Sequence, residues 1–304
     1  MTDKFFPTYQ LEVQTADGSI VIPGDEGGLF NLTANITYTY SESPNTCSIT
    51  VYNLKKETRD AIFHDAWNYF EFRKMTFKAG YGGNLMTLFD GNIKEAYSDR
   101  SGVDVTTKID GWDCFWYNNN FCTDTVPQGA TRNQSIDQTL QSIRINDGLM
   151  RTGEGKAAVV RSDFSDMPNN LRSETLYGRP QDIIKERIGQ QATLFYDSGK
   201  LYVLKDNDVV GDEDDIPVIN SATGLLGVPT KRNRVVEFKM LFEPSLRIGR
   251  AFRLESNFSS MLNGTYKIMG VTHNLSLGEN IGGENITSVK AWNTNQGFNF
   301  LGMM

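Results

Sequence analysis

Acid–base, nucleophilic and metal chemistry each need particular side chains at particular spacings, and this chain offers few of them. Its two histidines are His64, on a short predicted helix, and His273, in a predicted strand; both read as surface or packing positions rather than as general bases. No G-x-S-x-G, H-E-x-x-H or G-x-x-x-x-G-K-[ST] occurs, and Gly153-Glu154-Gly155-Lys156 is too short for a phosphate loop. Cys47, Cys114 and Cys122 are odd in number and lack a C-x-x-C spacing, which suggests reduced thiols rather than a disulfide framework or a zinc site. The acidic run Asp212, Glu213, Asp214 and Asp215 lacks the spaced ligands and central glycine of an EF-hand loop, so it reads as a solvated linker. Among 37 Asp and Glu, carboxylate pairs of the glycosidase kind arise by chance. No catalytic residue, cofactor or metal is assigned.

Charge and exposed aromatics carry more. The 304 residues sum to −7, which argues against a protein that coats DNA, since that task needs a basic face. The charge is uneven: residues 1–117 carry a net −6, 118–215 carry −5 and 216–304 carry +4. Lys231, Arg232, Arg234, Arg247, Arg250 and Arg253 concentrate the positive end, either as a solvated face or as contacts to an acidic partner. The final GFNFLGMM is apolar for a chain end. Phe298, Phe300, Leu301, Met303 and Met304 are expected to dock, on a partner or on their own domain. Trp112, Trp116, Tyr117 and Phe121 could line a carbohydrate rim. Seven N-x-S/T sequons read as Asn- and Thr-rich strand sequence, because the start lacks the apolar core of a signal peptide and no window suits a membrane span. Folding in cytoplasm follows.

The elements that must position these residues are mostly strands. Residues 31–40, NLTANITYTY, alternate apolar and polar without a break, and CSITVYN repeats the period. Asp17-Gly18 supplies a tight hairpin turn. KKETRDAIFH (55–64) breaks the period of two and predicts one short helix. The middle third predicts two amphipathic helices, over 135–145 and 179–188, then a hairpin turned at Asp197-Ser198-Gly199. The last third returns to strands. A weak internal repeat aligns 89–112 with 262–292, placing Gly91 on Gly264 and Trp112 on Trp292. The expected fold is mainly β: two similar antiparallel β-barrel domains, 1–117 and 216–304, flanking an α+β insert, 118–215. Open sheets expose edges that a second chain can pair, which points to assembly.

The blocks ITVYNL, then MTFKAGYGGNLMTLFDGNIKEAYSDRSGVDVTTKIDGWD, and later GLLGVPTKRNRVVEFKMLFEPSLRIGRAFRLES and NGTYKIMGVTHNLSLGENIGGENITSVKAW, resemble the baseplate hub proteins of contractile-tailed bacteriophages. The resemblance covers both outer thirds and, in the middle, only the order of elements. It implies a structural protein of the virion, assembled in the host cytoplasm. Three chains would form a ring of six barrels that adapts a six-fold tail tube, or its initiator proteins, to a three-fold central spike. Wedge proteins would surround the ring, DNA would pass through its lumen without membrane insertion, and the six basic residues Lys231, Arg232, Arg234, Arg247, Arg250 and Arg253 would meet a neighbouring subunit or the lumen. The family often carries fused lysozyme domains, for which this chain has no room, so cell-wall cleavage is not expected. A carbohydrate-binding β module and a cell-wall hydrolase component are the alternative readings.

Overall fold

The computed structural model describes residues 4, 6–23, 29–67, 72–113, 121–142, 144–145, 155–156, 158–279, 281–293 and 297–301. The first third gives β1 (Thr8–Thr15), β2 (Gly18–Ile22), β3 (Leu32–Thr39), β4 (Thr46–Tyr52), α1 (Lys56–Ile62), β5 (Lys74–Tyr81), β6 (Asn84–Ser101) and β7 (Asp104–Trp112). The middle gives β8 (Cys122–Val126), α2 (Arg132–Gln141), β9 (Arg144–Ile145), β10 (Gly155–Lys156), β11 (Ala158–Arg161), β12 (Glu174–Gly178), α3 (Pro180–Ile188), β13 (Ala192–Asp197), β14 (Lys200–Lys205) and β15 (Asp208–Val210). The last third gives β16 (Val218–Ile219), β17 (Leu225–Arg232), β18 (Val235–Leu241), β19 (Ala251–Leu254), β20 (Gly264–Leu277), β21 (Ile286–Trp292) and β22 (Asn299–Leu301). The alternation predicted over 31–40 is seen in β3, where Leu32, Ala34, Ile36 and Tyr38 are buried and the intervening residues are not. The helix predicted over 135–145 starts earlier. The Thr131 hydroxyl accepts from Gln134 N while the Gln134 side chain accepts from Thr131 N, and this capping box begins α2 at Arg132.

The chain is mainly β, as expected, but the outer thirds do not close two separate hydrogen-bonded barrels. They share one sheet with the open order β17-β18-β21-β20-β3-β4-β7-β6-β5-β1-β2, to which β19 and β16 attach beside β20. The join is β3 against β20, antiparallel from Leu32↔Leu277 to Thr39↔Gly270. The sheet rolls so that its apolar face covers itself. The Tyr81 hydroxyl on β5 donates to Phe242 O just beyond β18 (3.1 Å), and Lys4 Nζ pairs with Glu243 (2.6 Å). One continuous core therefore holds Leu11, Ile36, Ile49, Phe77, Phe89, Phe238, Phe252 and Val271. A smaller core in the middle third packs α2 and α3 on β13 and β14 through Ile136, Ile184, Leu194 and Val203.

The internal repeat is real, with a corrected register. In the first unit β3-β4-β7-β6-β5 are neighbours; in the second, β17-β18-β21-β20-β19 follow the same order. Trp112 lies opposite Thr46 and Asn92, and Trp292 opposite Val235 and Lys267. Both β6 and β20 carry a bulge one residue further on, between Ile93 and Glu95 and between Ile268 and Gly270. Beyond it the pairs again correspond: Tyr97↔Lys108 with Thr272↔Ser288, Ser98↔Thr107 with His273↔Thr287. Even the entry bonds match, Ile93 N to Arg73 O and Ile268 N to Arg250 O, each 2.8 Å. Counting back from the tryptophans, Gly91 corresponds to Tyr266 and not to Gly264. The glycines align by sequence only because the two hairpins differ in length.

Candidate functional site

Without a constellation for chemistry, the informative places are the junction between the thirds, the polar face of the sheet and its open edges. The junction is built from buried polar groups. Arg247 is 9 % exposed and donates to the Tyr38 hydroxyl (2.7 Å), Leu88 O (3.0 Å) and Asp197 (3.4 Å), so one guanidinium ties all three thirds. Burial works against its charge, but Tyr38 and Asp197 outweigh that and hold its pKa above the ordinary arginine value. Asn45 donates from N and Nδ2 to the Asp113 carboxylate (2.7 Å each) and from Nδ2 to Tyr196 O (2.7 Å). Burial pushes the Asp113 carboxyl up to about 7, against the pull of the Asn45 hydrogen bonds. Lys267, 1 % exposed, donates to the Tyr40 hydroxyl (2.6 Å), Lys205 O (3.0 Å) and Asp206 O (3.2 Å), and burial brings its ammonium down to about 7. These satisfied groups make the junction directional, whereas an apolar seam would allow sliding.

Opposite the core, the sheet presents a hydroxyl and amide face. On β20, β3 and β4 it consists of Thr272, Asn274 and Ser276, of Thr33, Asn35, Thr37 and Thr39, and of Thr46, Ser48 and Thr50. These residues bond each other: Asn35 Nδ2 donates to Asn274 Oδ1 (2.5 Å), and Thr37 Oγ1 lies 3.5 Å from Thr272 Oγ1. Charges enter only on the flanking strands and largely as pairs, Lys290 with Glu237 (3.4 Å), Lys108 with Asp110 (2.8 Å) and Lys74 with Asp90 (3.2 Å). A groove of about 710 Å³ runs over this face beneath the irregular part of β17.

The six basic residues singled out by sequence do not form one patch. Lys231, Arg232 and Arg234 lie exposed at the β17–β18 hairpin, whose turn puts Asn233 (φ 48°) and Arg234 (φ 69°) in the left-handed region, as a two-residue type I′ turn requires. Lys231 Nζ reaches Met261 O (3.3 Å) beside the exposed Phe258 and Met261. Arg253 is exposed on β19, 3.9 Å from Glu255. Arg247 belongs to the buried junction, and with the half-buried Arg250 it lines a cavity of about 260 Å³ opposite Asp212, Asp214 and Asp215. No signal in the pattern separates the buried Arg247 and Lys267 from their solvated neighbours. The tail docks on its own chain: β22 pairs in parallel with β15 through Val209↔Phe300 and Val210↔Leu301, and Phe298 meets the Trp292 ring edge-on at 6.2 Å. Met303 and Met304 lie outside the described residues, as do Cys114, Trp116 and Tyr117. Of the remaining aromatics, Trp112 lies under Lys94 Nζ (4.8 Å) and Phe121 packs on Tyr177 (4.7 Å), so they do not share a rim.

His273 is wholly buried, with Nδ1 2.9 Å from Thr287 Oγ1 and burial lowering its pKa to about 3, so it stays neutral. His64 uses its backbone, bridging Ala96 of β6. Among the described residues no three His, Cys, Asp or Glu side chains come together as a metal-holding group, and no helix is long and apolar enough to cross a membrane.

Solved structures share this architecture at identities that show the fold alone. The 43 kDa tail protein of prophage MuSo2 from Shewanella oneidensis superposes with a TM-score of 0.58 at 8 % identity, covering 93 % of this chain and 97 % of that one. A tail protein from Neisseria meningitidis MC58 gives 0.56 at 8 %, covering 94 % and 96 %. The E. coli c3393 protein, a type VI secretion component described as similar to the T4 bacteriophage tail proteins gp27 and gp5, gives 0.57 at 9 %, covering 94 % and 78 %. No curated protein matches in sequence. The sequence model of the baseplate hub gp41 family matches residues 21–279, and the chain therefore belongs to that family of structural phage tail proteins, with its place in the baseplate.

Proposed function

We propose that this chain is the ring-forming subunit of a contractile-tail baseplate hub, in which three copies, each contributing two equivalent β units, present a pseudo-six-fold ring to the tail tube and a three-fold face to the central spike. The observation that carries this reading is the repeat of one five-strand unit with the same cross-strand register. Two units per chain let a trimer offer six similar positions. The division at 1–117, 118–215 and 216–304 belongs to the same reading, with the middle third as an outward-facing insert.

The neutral face of β20, β3 and β4 suits the wall of a DNA conduit. A wall rich in unpaired Lys or Arg would release counterions from phosphate and hold the duplex, whereas hydroxyls and paired charges give it no such purchase. The exposed basic hairpin would then face a neighbour, where the net −6 of the first third favours alternation of unlike units. Spike and wedge proteins complete the partner set. Light scattering of the purified chain, followed by electron microscopy of the particles, tests the reading. A three-fold ring with six inner lobes supports it; a persistent monomer counts against it.

A further inference from the structure

The strand pairings inside one chain specify how the next chain joins. β20 is paired in two stages along one side: β19 covers Gly264 to Lys267, and β3 covers Gly270 to Leu277. Its counterpart β6 is covered by β5 only from Asn84 to Asn92. On that same side, among the described residues, the one backbone pairing of Glu95 to Ser101 is the two-bond bridge from His64 to Ala96, and α1 also lies against β6. At the other end of the sheet β17, the counterpart of β3, pairs among the described residues with β18 alone. The molecule thus has one strand lacking the partner that its twin possesses, and one strand of the partner's type with an open edge.

Resting on the hub reading, we propose that β17 of one copy adds antiparallel to the free segment of β6 in the next copy, in the register that β3 keeps with β20. Correspondence through the shared pairings fixes that register. Thr37↔Thr272 and Asn35↔Asn274 in the chain become Arg232↔Tyr97 and Thr230↔Asp99 between chains, with Lys231 opposite Ser98. The chemistry agrees with the register. Tyr97, Ser98, Asp99 and Arg100 are exposed, as are Thr230, Lys231 and Arg232. Arg232 would stand over the Tyr97 ring and diagonal to Asp99 on one face, within reach of a long side chain. The Arg100 N–H now donates to the adjacent Asp99 carboxylate (2.7 Å), a local substitute that an incoming carbonyl replaces.

Length is limited at both ends. The His64 bridge occupies the position that Tyr38 holds against Val271, and β17 turns away there through Asn233 and Arg234. At the other end the pairing of β17 with β18 shifts between Leu226 and Thr230, where Pro229 brings no N–H. Such a short, bulged, charged edge pairs one specific partner and resists indiscriminate sheet extension.

The test is a double-cysteine chain, Thr230→Cys with Asp99→Cys. These positions correspond to a non-hydrogen-bonded pair, whose Cα atoms lie about 4.5 Å apart, within disulfide range. Cys47 and Cys122 are buried, and the unsubstituted chain supplies the background. Mild oxidation should move most of the chain from the monomer band to a covalent trimer that ends the ladder, while the off-register pair Leu226→Cys with Asp99→Cys stays at background. A trimer by light scattering that cross-links no better than the off-register pair overturns the register and leaves the hub reading standing. A chain that remains monomeric and uncross-linked overturns both.

Discussion

The first and second β units of this chain have the same strand order and registers but opposite relations to their surroundings. In the first, β3 is covered on both sides and its connection to β4, Tyr40 to Asn45, reaches the middle third: Asn45 bonds Tyr196 O, Lys185 pairs with Glu42 (2.9 Å), and Tyr40 takes the Lys267 ammonium. In the second, β17 is open and joined to β18 by the tight turn at Asn233 and Arg234. The comparison teaches that a repeat can diverge at its loops and edge residues while its cross-strand register persists. Register is set by which face is buried, and a one-residue slip would turn the whole strand inside out.

The sharpest way to break the comparison is at the group that ties the units to the insert. Arg247→Met leaves the Asp197 carboxylate, the Tyr38 hydroxyl and Leu88 O without their shared donor. Losing one member of a buried ion pair costs about 3–5 kcal/mol, to be read as a drop in the urea midpoint. The companion Arg253→Met, on the exposed counterpart of β5, should move the midpoint by less than about 0.5 kcal/mol.

The next effect separates the ends of the two units by pH. Asp113 follows Trp112, as Asn293 follows Trp292. With its folded pKa near 7, above the ordinary value of 3.8, Asp113 binds more protons folded than unfolded between those values. It therefore lowers stability as pH rises from about 4 to 7. Lys267 has the opposite sign: with a folded pKa near 7 and an ordinary value of 10.5, it makes stability rise between pH 7 and about 10.5. Asp113→Asn should remove the fall that Asp113 contributes below pH 7, so that the variant curve rises there where the parent stays level, and Lys267→Met should flatten the curve above pH 7. Subtracting variant from parent curves isolates each, because His273, pushed to about 3, adds its own rise between 3 and 6.5. A parent curve parallel to both variants would contradict these burials.

How much of this was legible in the sequence follows from the same contrasts. Uninterrupted alternation in NLTANITYTY exposed β3 directly, and the tryptophans marked corresponding ends because each closes a strand opposite the first residue of another. The glycine alignment misled, since the β5–β6 hairpin is longer than its β19–β20 twin, whereas the bulges after Ile93 and Ile268 fall at matching places and shift nothing. Arg247 and Lys267 could not be read as buried. A charged residue in a linear pattern reads as solvated, and only partners from distant segments, here Asp197 and the Lys205 carbonyl, make burial tolerable. The join of the two units was also invisible, because β3 and β20 lie more than two hundred residues apart and a strand's pattern does not name its neighbour.

A smaller effect sharpens the packing side of the comparison. Gly111 and Ala291 occupy the same place beside their tryptophans, but a Cβ on Gly111 would lie 2.6 Å from Met75 Cε and 3.1 Å from the Phe89 ring. Gly111→Ala should cost about 1–3 kcal/mol by overpacking, with Met75→Ala relieving part of it in the double variant. Ala291→Gly should cost about 1 kcal/mol through chain entropy and a lost methyl.

The smallest stability effect falls on the polar face, where the two units differ in charge but not in register. Ser48 and Asp110 are neighbours in the first unit where the second has Glu237 and Lys290. The ion pair is exposed on both sides, at 58 % and 60 %, and 3.4 Å long, so Glu237→Ser should shift the unfolding midpoint by less than about 0.5 kcal/mol. Its electrostatic effect is separate from its stability. The change leaves Lys290 and Lys239 unopposed, and a ring of three chains would repeat them around any enclosed duplex. Duplex binding by the assembled protein, read by fluorescence anisotropy, should then gain a salt-dependent component that weakens as ionic strength rises, while the parent shows little. Equal binding by parent and variant would mean that this face does not meet DNA, and the neutrality of β3, β4 and β20 would need another cause.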